Sequence, residues 1–147
     1  MVGGIATGIV LAFSGSSNAA PTRAEYFSQV ARICAAYGPK LDRIAPPNDV
    51  TIPGEVVTPL KSVIPLLRAE TAEVQALKPP RELTAKIEHW LGLKARVVTS
   101  LEQTLHAAEA PDIAKTAVDY LAFQKLARQT ATAGHAIGFP KICSASG

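Results

Sequence analysis

Prolines cut this chain into four stretches, and inside each stretch the apolar residues return every three or four positions. The breaks fall at Pro46-Pro47, Pro79-Pro80, Pro111 and Pro140. A stripe with that period is one face of an α-helix, and no stretch alternates with period two for long enough to make a sheet. Four amphipathic segments joined by short turns predict an all-α fold, an up-down-up-down four-helix bundle with proline kinks.

The first segment has a clear start. Thr22 followed three residues later by Glu25 reads as a capping box. Phe27, Val30, Cys34, Tyr37, Leu41 and Ile44 then trace one face. Pro39 donates no hydrogen bond and crowds the carbonyl of Ala35, so a kink or break is expected there. "APPNDVTIPG" reads as a loop. The second segment, residues 54–78, carries Val57, Leu60, Ile64, Leu67, Thr71 and Val74 on one face. Pro59 is either a first-turn residue behind a Thr58 cap or a bend in a helix that starts earlier, and Pro65 predicts a kink in both cases. The third segment, residues 81–109, has no internal proline. Its seam is Leu83, Ile87, Trp90, Val97, Leu101 and Ala108, widened by Leu91, Val98 and Leu105. The fourth, residues 112–137, places Ile113, Ala117, Tyr120, Gln124, Ala127 and Ala131 together, beside Phe123 and Leu126. Gly138 is a natural stop, and the tail is not expected to continue as helix past Pro140.

A chain of 147 residues suits one domain with a real core. Its side chains are 48% apolar and only 5% aromatic, an alanine-rich and aliphatic mixture that favours helix. The net charge of +3 comes from Lys and Arg spread between Arg23 and Lys141 and interleaved with acids. Without a basic run or basic–aromatic alternation, a mildly basic solvated surface is expected and nucleic acid is not.

Residues 1–19 read as a signal peptide, leaving residues 20–147 as a single helical domain. The stretch has no charged side chain, an apolar run from Ile5 to Phe13, and then small polar residues. Ser17 and Ala19 suit the −3 and −1 positions of a cleavage site that releases Ala20. The basic residue that usually opens such a leader is missing, which suggests a leader truncated at its start. The alternative is an uncleaved anchor, although the run is well below the ~20 residues needed to span a bilayer. No spanning helix is expected in the mature chain.

The two cysteines, Cys34 and Cys143, are the only ones. In an antiparallel bundle the end of the fourth helix lies near the start of the first. Cys34 is about 18 Å down that first helix, and an extended tail of six residues reaches about 20 Å. The tail can fold back to place Phe139 and Ile142 beside the first seam. An even cysteine count in an exported chain reads as a disulfide, here closing a loop worth roughly 4–5 kcal/mol in chain entropy. The alternative is two buried free thiols.

Candidate chemistry is sparse. His89 and His106 share the third helix about 25 Å apart, too far to share a metal within one subunit. His135 near the end of the fourth helix suits a helix C-terminus. Glu102, His106 and Glu109 fall on one helical face, either as a metal site or as a solvated stripe with local ion pairing. There is no G-x-S-x-G elbow and no phosphate loop before a helix. Trp90, Tyr37 and Tyr120 lie on apolar seams and read first as core. No catalytic residue, metal or cofactor is assigned.

"YFSQVARIC" near the mature start, "LKPP" after the second helix and "GHAIGFPKIC" near the end resemble the small exported or lipid-anchored helical proteins of actinobacteria, especially of the mycobacterial cell envelope. The likeness covers nearly the whole mature chain. It implies a helical fold and an extracytoplasmic location, and transfers no activity. The chain departs from the anchored members in lacking a lipidation cysteine after the apolar run. The expected function is non-enzymatic, an interaction or accessory protein of the envelope with a protein partner. The alternative is a carrier of a hydrophobic small molecule, haem or lipid, in a bundle interior splayed by Pro39, Pro59 and Pro65. His106, Tyr120 and His135 are then the candidate ligand contacts.

Overall fold

The computed structural model describes residues 19–144. The expected leader, except Ala19, lies outside them. Helices α1 (Arg23–Leu41), α2 (Pro53–Gln75), α3 (Thr84–Glu109) and α4 (Ile113–Ile137) run in alternating directions, and a one-turn helix α5 (Lys141–Ser144) follows. A 3-10 turn at Arg81–Leu83 leads into α3. No strand occurs among the described residues. No helix among them is long and apolar enough to cross a membrane.

The helix ends follow the local chemistry. The Thr22 hydroxyl accepts from the Glu25 N–H at 3.2 Å, and the Thr22 N–H donates to the Glu25 carboxylate at 2.7 Å. That backbone donor, followed by the Thr22 hydroxyl, holds the Glu25 carboxyl below its ordinary range. The Asp112 side chain caps α4 by accepting from the Lys115 N–H at 3.0 Å. Helix α1 continues through Pro39 to Leu41 and is not broken there. Pro39 stands two residues before the helix end, so few helical bonds are left to lose. Helix α2 starts at Pro53 and stays helical through Pro59 and Pro65, with no cap at Thr58.

The core divides into two clusters along the bundle axis. One joins Tyr26, Val30 and Cys34 of α1 to Val74, Ile87, Trp90, Ile137 and Phe139. The other joins Val56, Leu60, Ile64 and Leu67 of α2 to Val97, Val98 and Leu101 of α3. Between them sit Glu70 and Lys94. Their side chains are 1% and 3% exposed and the Lys94 Nζ stands 2.7 Å from Glu70 Oε2. Glu70 takes the buried place expected of its neighbour Thr71.

The buried face of α4 is also rotated from expectation. Thr116, Ala127, Thr130, Gly134 and Ile137 are buried, whereas Ile113 is 49% exposed. The Thr116 and Thr130 hydroxyls donate to the carbonyls of Asp112 and Leu126 at 2.7 and 2.8 Å. Satisfied within their own helix, these threonines pack as small apolar residues.

Sequential helices pack on one another, while the α1 and α4 backbones stay apart and meet through side chains, as where Arg23 donates to the Ile137 carbonyl at 3.1 Å, and through α5, which touches both. At one end of the bundle the tail fills that gap. Gly138 turns the chain at φ 98°, in the left-handed region. The Phe139 ring then lies 5.0 Å from Trp90 and 5.4 Å from Phe27, and Cys143 is disulfide-bonded to Cys34 with Cα atoms 5.3 Å apart. The tail reaches Cys34 through a turn and a short helix past Pro140, in place of the expected extended strand. The side chain of Ile142 lies outside the described residues.

Candidate functional site

At the other end, the gap between α1 and α4 is walled by the loop at residues 42–52. Helix α1 covers only the second half of α2. Tyr37, near its end, donates to Glu73 at 2.5 Å, and Leu41 packs into the cluster around Leu60 and Leu67. The loop runs back along the first half of α2. Asp49 shapes it by accepting from the Thr51 hydroxyl and N–H at 2.6 and 2.8 Å, while the Asp49 N–H donates to Glu55 on α2 at 3.1 Å. The Thr51 hydroxyl, followed by its N–H, holds the Asp49 carboxyl below its ordinary range.

A loop is thinner than a helix, and here it leaves a cleft of about 400 Å³. Ile44, Ala45, Pro46 and Pro47 form its loop wall, and Pro59, Leu60, Val63 and Leu67 its α2 wall. Tyr120 and Phe123 of α4 face them, with ring centroids 5.5 Å apart. Three of these lining residues are prolines, which present no backbone N–H. Asp42 is the one charged side chain in the lining, and the Tyr120 hydroxyl adds a second polar group. The size and apolar lining with few polar groups match a small-molecule site.

Of the expected ligand contacts, Tyr120 alone lines this cleft. His106 and His135 are exposed in the last turns of α3 and α4. Those helices are antiparallel, so the two imidazoles stand at opposite ends of the bundle, about 30 Å apart along it. A haem site built from both is thereby excluded. The Glu102–His106–Glu109 face is a row of ion pairs, but across helices. Glu109 pairs with Lys61 at 2.8 Å and Glu102 with Arg68, both on α2. Among the described residues no group of three His, Cys, Asp or Glu side chains is placed to hold a metal.

Glu70 and Lys94 were invisible as a site in the sequence. The available signal was the spacing: Lys94 falls between Trp90 and Val97 of the α3 seam, and Glu70 lies between Leu67 and Val74 of α2, beside the expected Thr71. The Lys94 ammonium also lies 5.1 Å from the centre of the Trp90 ring. Glu70 Oε1, Trp90 Nε1 and the Tyr26 hydroxyl are buried without a protein partner. Burial pushes the Tyr26 phenol up to about 12. Hydrogen bonding to Glu73, followed by burial, raises that of Tyr37.

No protein-family model, no curated protein and no solved structure matches the chain.

Proposed function

We propose that this protein is a non-catalytic binding protein of an oxidising, extracytoplasmic compartment, and that it carries an apolar small molecule in the cleft between α2, α4 and the 42–52 loop. The observation that carries the reading is the cleft itself, about 400 Å³ and walled by aliphatic, proline and aromatic side chains. The disulfide supports the compartment, since such bonds persist where thiols are not kept reduced. An envelope location rests on the resemblance of the sequence alone.

The test uses N-phenyl-1-naphthylamine, a neutral fluorescent apolar probe. The full chain should bind it, and Val63→Trp, which fills the cleft from α2, should weaken binding at least about tenfold. Unchanged affinity in a Val63→Trp protein of native circular dichroism would overturn the reading. Native mass spectrometry of the purified protein then reports any molecule carried along.

A second reading, an accessory protein with a protein partner, is favoured by one feature. Val118 and Leu121 on α4 are 65% and 64% exposed, the kind of apolar surface partners cover. It predicts that Val118→Ser with Leu121→Ser abolishes a specific crosslink to an envelope protein. A crosslink that survives both changes would remove that reading.

A further inference from the structure

A second concavity lies between α3 and α4, on residues that the apolar cleft does not use. Lys86, His89 and Arg96 rim it from α3, and Lys125 and Arg128 from α4. No carboxylate lines it. Among the described residues none of the four Lys and Arg side chains stands in an ion pair; the salt bridges use Lys61, Arg68, Lys94 and Lys115 instead. The whole chain carries a net charge of +3. Four uncompensated cations in one groove therefore exceed the net charge of the molecule, and everything else sums to −1.

The floor is of the opposite character. Leu93 of α3 and Ala133 and Ile137 of α4 lie between the cationic rims. Ala133 and Ala136 are the small residues on its α4 side, and the space is about 910 Å³. Each half of this lining selects. Guanidinium and ammonium groups recognise a phosphate or carboxylate, and an apolar trough favours a hydrocarbon body. A second copy of the chain is a poor occupant, because a two-fold contact through this face would bring two cationic rims together.

We propose that the α3–α4 groove binds a single anionic amphiphile, its alkyl chain along Leu93, Ala133 and Ile137 and its phosphate or carboxylate head between Arg96, Lys125 and Arg128. The competing account is that the long basic side chains only lay their stems over apolar surface and keep their charges in water. The two differ in what neutral side chains of similar length do.

The experiment is calorimetric titration of the full chain with decyl phosphate below its micelle concentration, at low and high salt. Binding should be at least about tenfold tighter than that of decanol or of inorganic phosphate, and should weaken with salt. Arg96→Gln with Arg128→Gln should weaken it at least about tenfold while leaving N-phenyl-1-naphthylamine binding unchanged, which separates this groove from the cleft. In the unaltered protein, decyl phosphate should shift the amide resonances of residues 93–96 and 125–133, a readout that needs no variant. Equal affinity in the Gln variant, no advantage over decanol or inorganic phosphate, or resonance shifts confined elsewhere would each overturn the proposal. So would retention on phosphatidylglycerol vesicles without binding of monomeric decyl phosphate, since the bilayer surface and not a single amphiphile would then be the ligand.

Discussion

Replacing Lys94 by Met removes one charge from the interior and leaves the other. Lys94 and Glu70 are 3% and 1% exposed in their side chains and 2.7 Å apart. Glu70 Oε1 already lacks a protein partner, so deleting the ammonium leaves a buried carboxylate with nothing to oppose it. Breaking such a pair from one side costs about 3–5 kcal/mol. Against a total stability of roughly 5–15 kcal/mol this is large but survivable. Removing both charges is different. The desolvation of two ions disappears with their attraction, and two aliphatic side chains join the clusters above and below, so Glu70→Leu with Lys94→Met should be near neutral or stabilising by about 1–4 kcal/mol. Urea unfolding with the disulfide intact measures all of these, followed by the fluorescence of Trp90, the one tryptophan of the chain. The reasoning fails if Lys94→Met costs less than about 1 kcal/mol, the value of an exposed pair. It fails equally if the double variant is no more stable than the worse single one.

Three further outcomes follow from the same structure. Cys34→Ser with Cys143→Ser opens a closure of 109 residues and should lower stability by roughly 4–5 kcal/mol in urea; a loss under about 1 kcal/mol would show that the unfolded chain hardly feels the tie. Tyr26→Phe removes a buried hydroxyl without a protein partner and should leave stability at neutral pH equal or higher. Because burial pushes the folded phenol up to about 12 from 10.0, stability is unaffected by its ionisation below pH 10 and falls as pH rises from there to about 12. The native protein should therefore lose stability over that window faster than Tyr26→Phe, and parallel pH profiles would refute the assignment. Gly138→Ala puts a Cβ at φ 98° and 3.2 Å from the Arg23 guanidinium, which donates to the Ile137 carbonyl. Thermal unfolding should show a loss of about 1 kcal/mol or more, and an unchanged midpoint would deny the strain.

The four helices, their order and the disulfide were readable because each rests on a local or covalent rule: period, cap, proline, cysteine count. On α3 the large seam residues Ile87, Trp90, Val97 and Leu101 are buried as expected, whereas Leu93, Lys94, Ser100, Thr104 and Ala107 are buried beside them without having been part of the expected seam. Errors gathered where polarity by residue type misleads. Thr116 and Thr130 are polar in name, yet they bond their own helix and pack inside. Glu70 and Lys94 are charged, yet they satisfy each other across two helices, and no window on either helix contains the partner. Pairs such as Lys61–Glu109 and Arg68–Glu102 did leave a trace, because both helices repeat charge at a spacing of seven. The groove cations are also regularly placed, at 86 and 96 on α3 and at 125 and 128 on α4. Their convergence became visible only once the packing of α4 against α3 fixed which faces meet.

The cleft has a simpler origin, which the sequence contains in lengths. Helix α1 has 19 residues and α3 has 26, so at 1.5 Å per residue the first helix falls short by about 10 Å. Something must cover the second half of α3 and the first half of α2 and α4, and the available chain is the 42–52 loop. Two devices thus close the same side of the bundle. The tail is held by a covalent bond and by Phe139 packed among aromatic rings. The loop is held through exposed hydrogen bonds at Asp49, Thr51 and Glu55. Exposed bonds with little buried apolar surface open at low free energy, while a stapled core opens only with global unfolding. In the proposed carrier, a wall that yields beside a frame that does not would let a bound molecule exchange without melting the fold. This asymmetry, more than the volume of the cleft, favours a carrier over a permanently filled structural cavity.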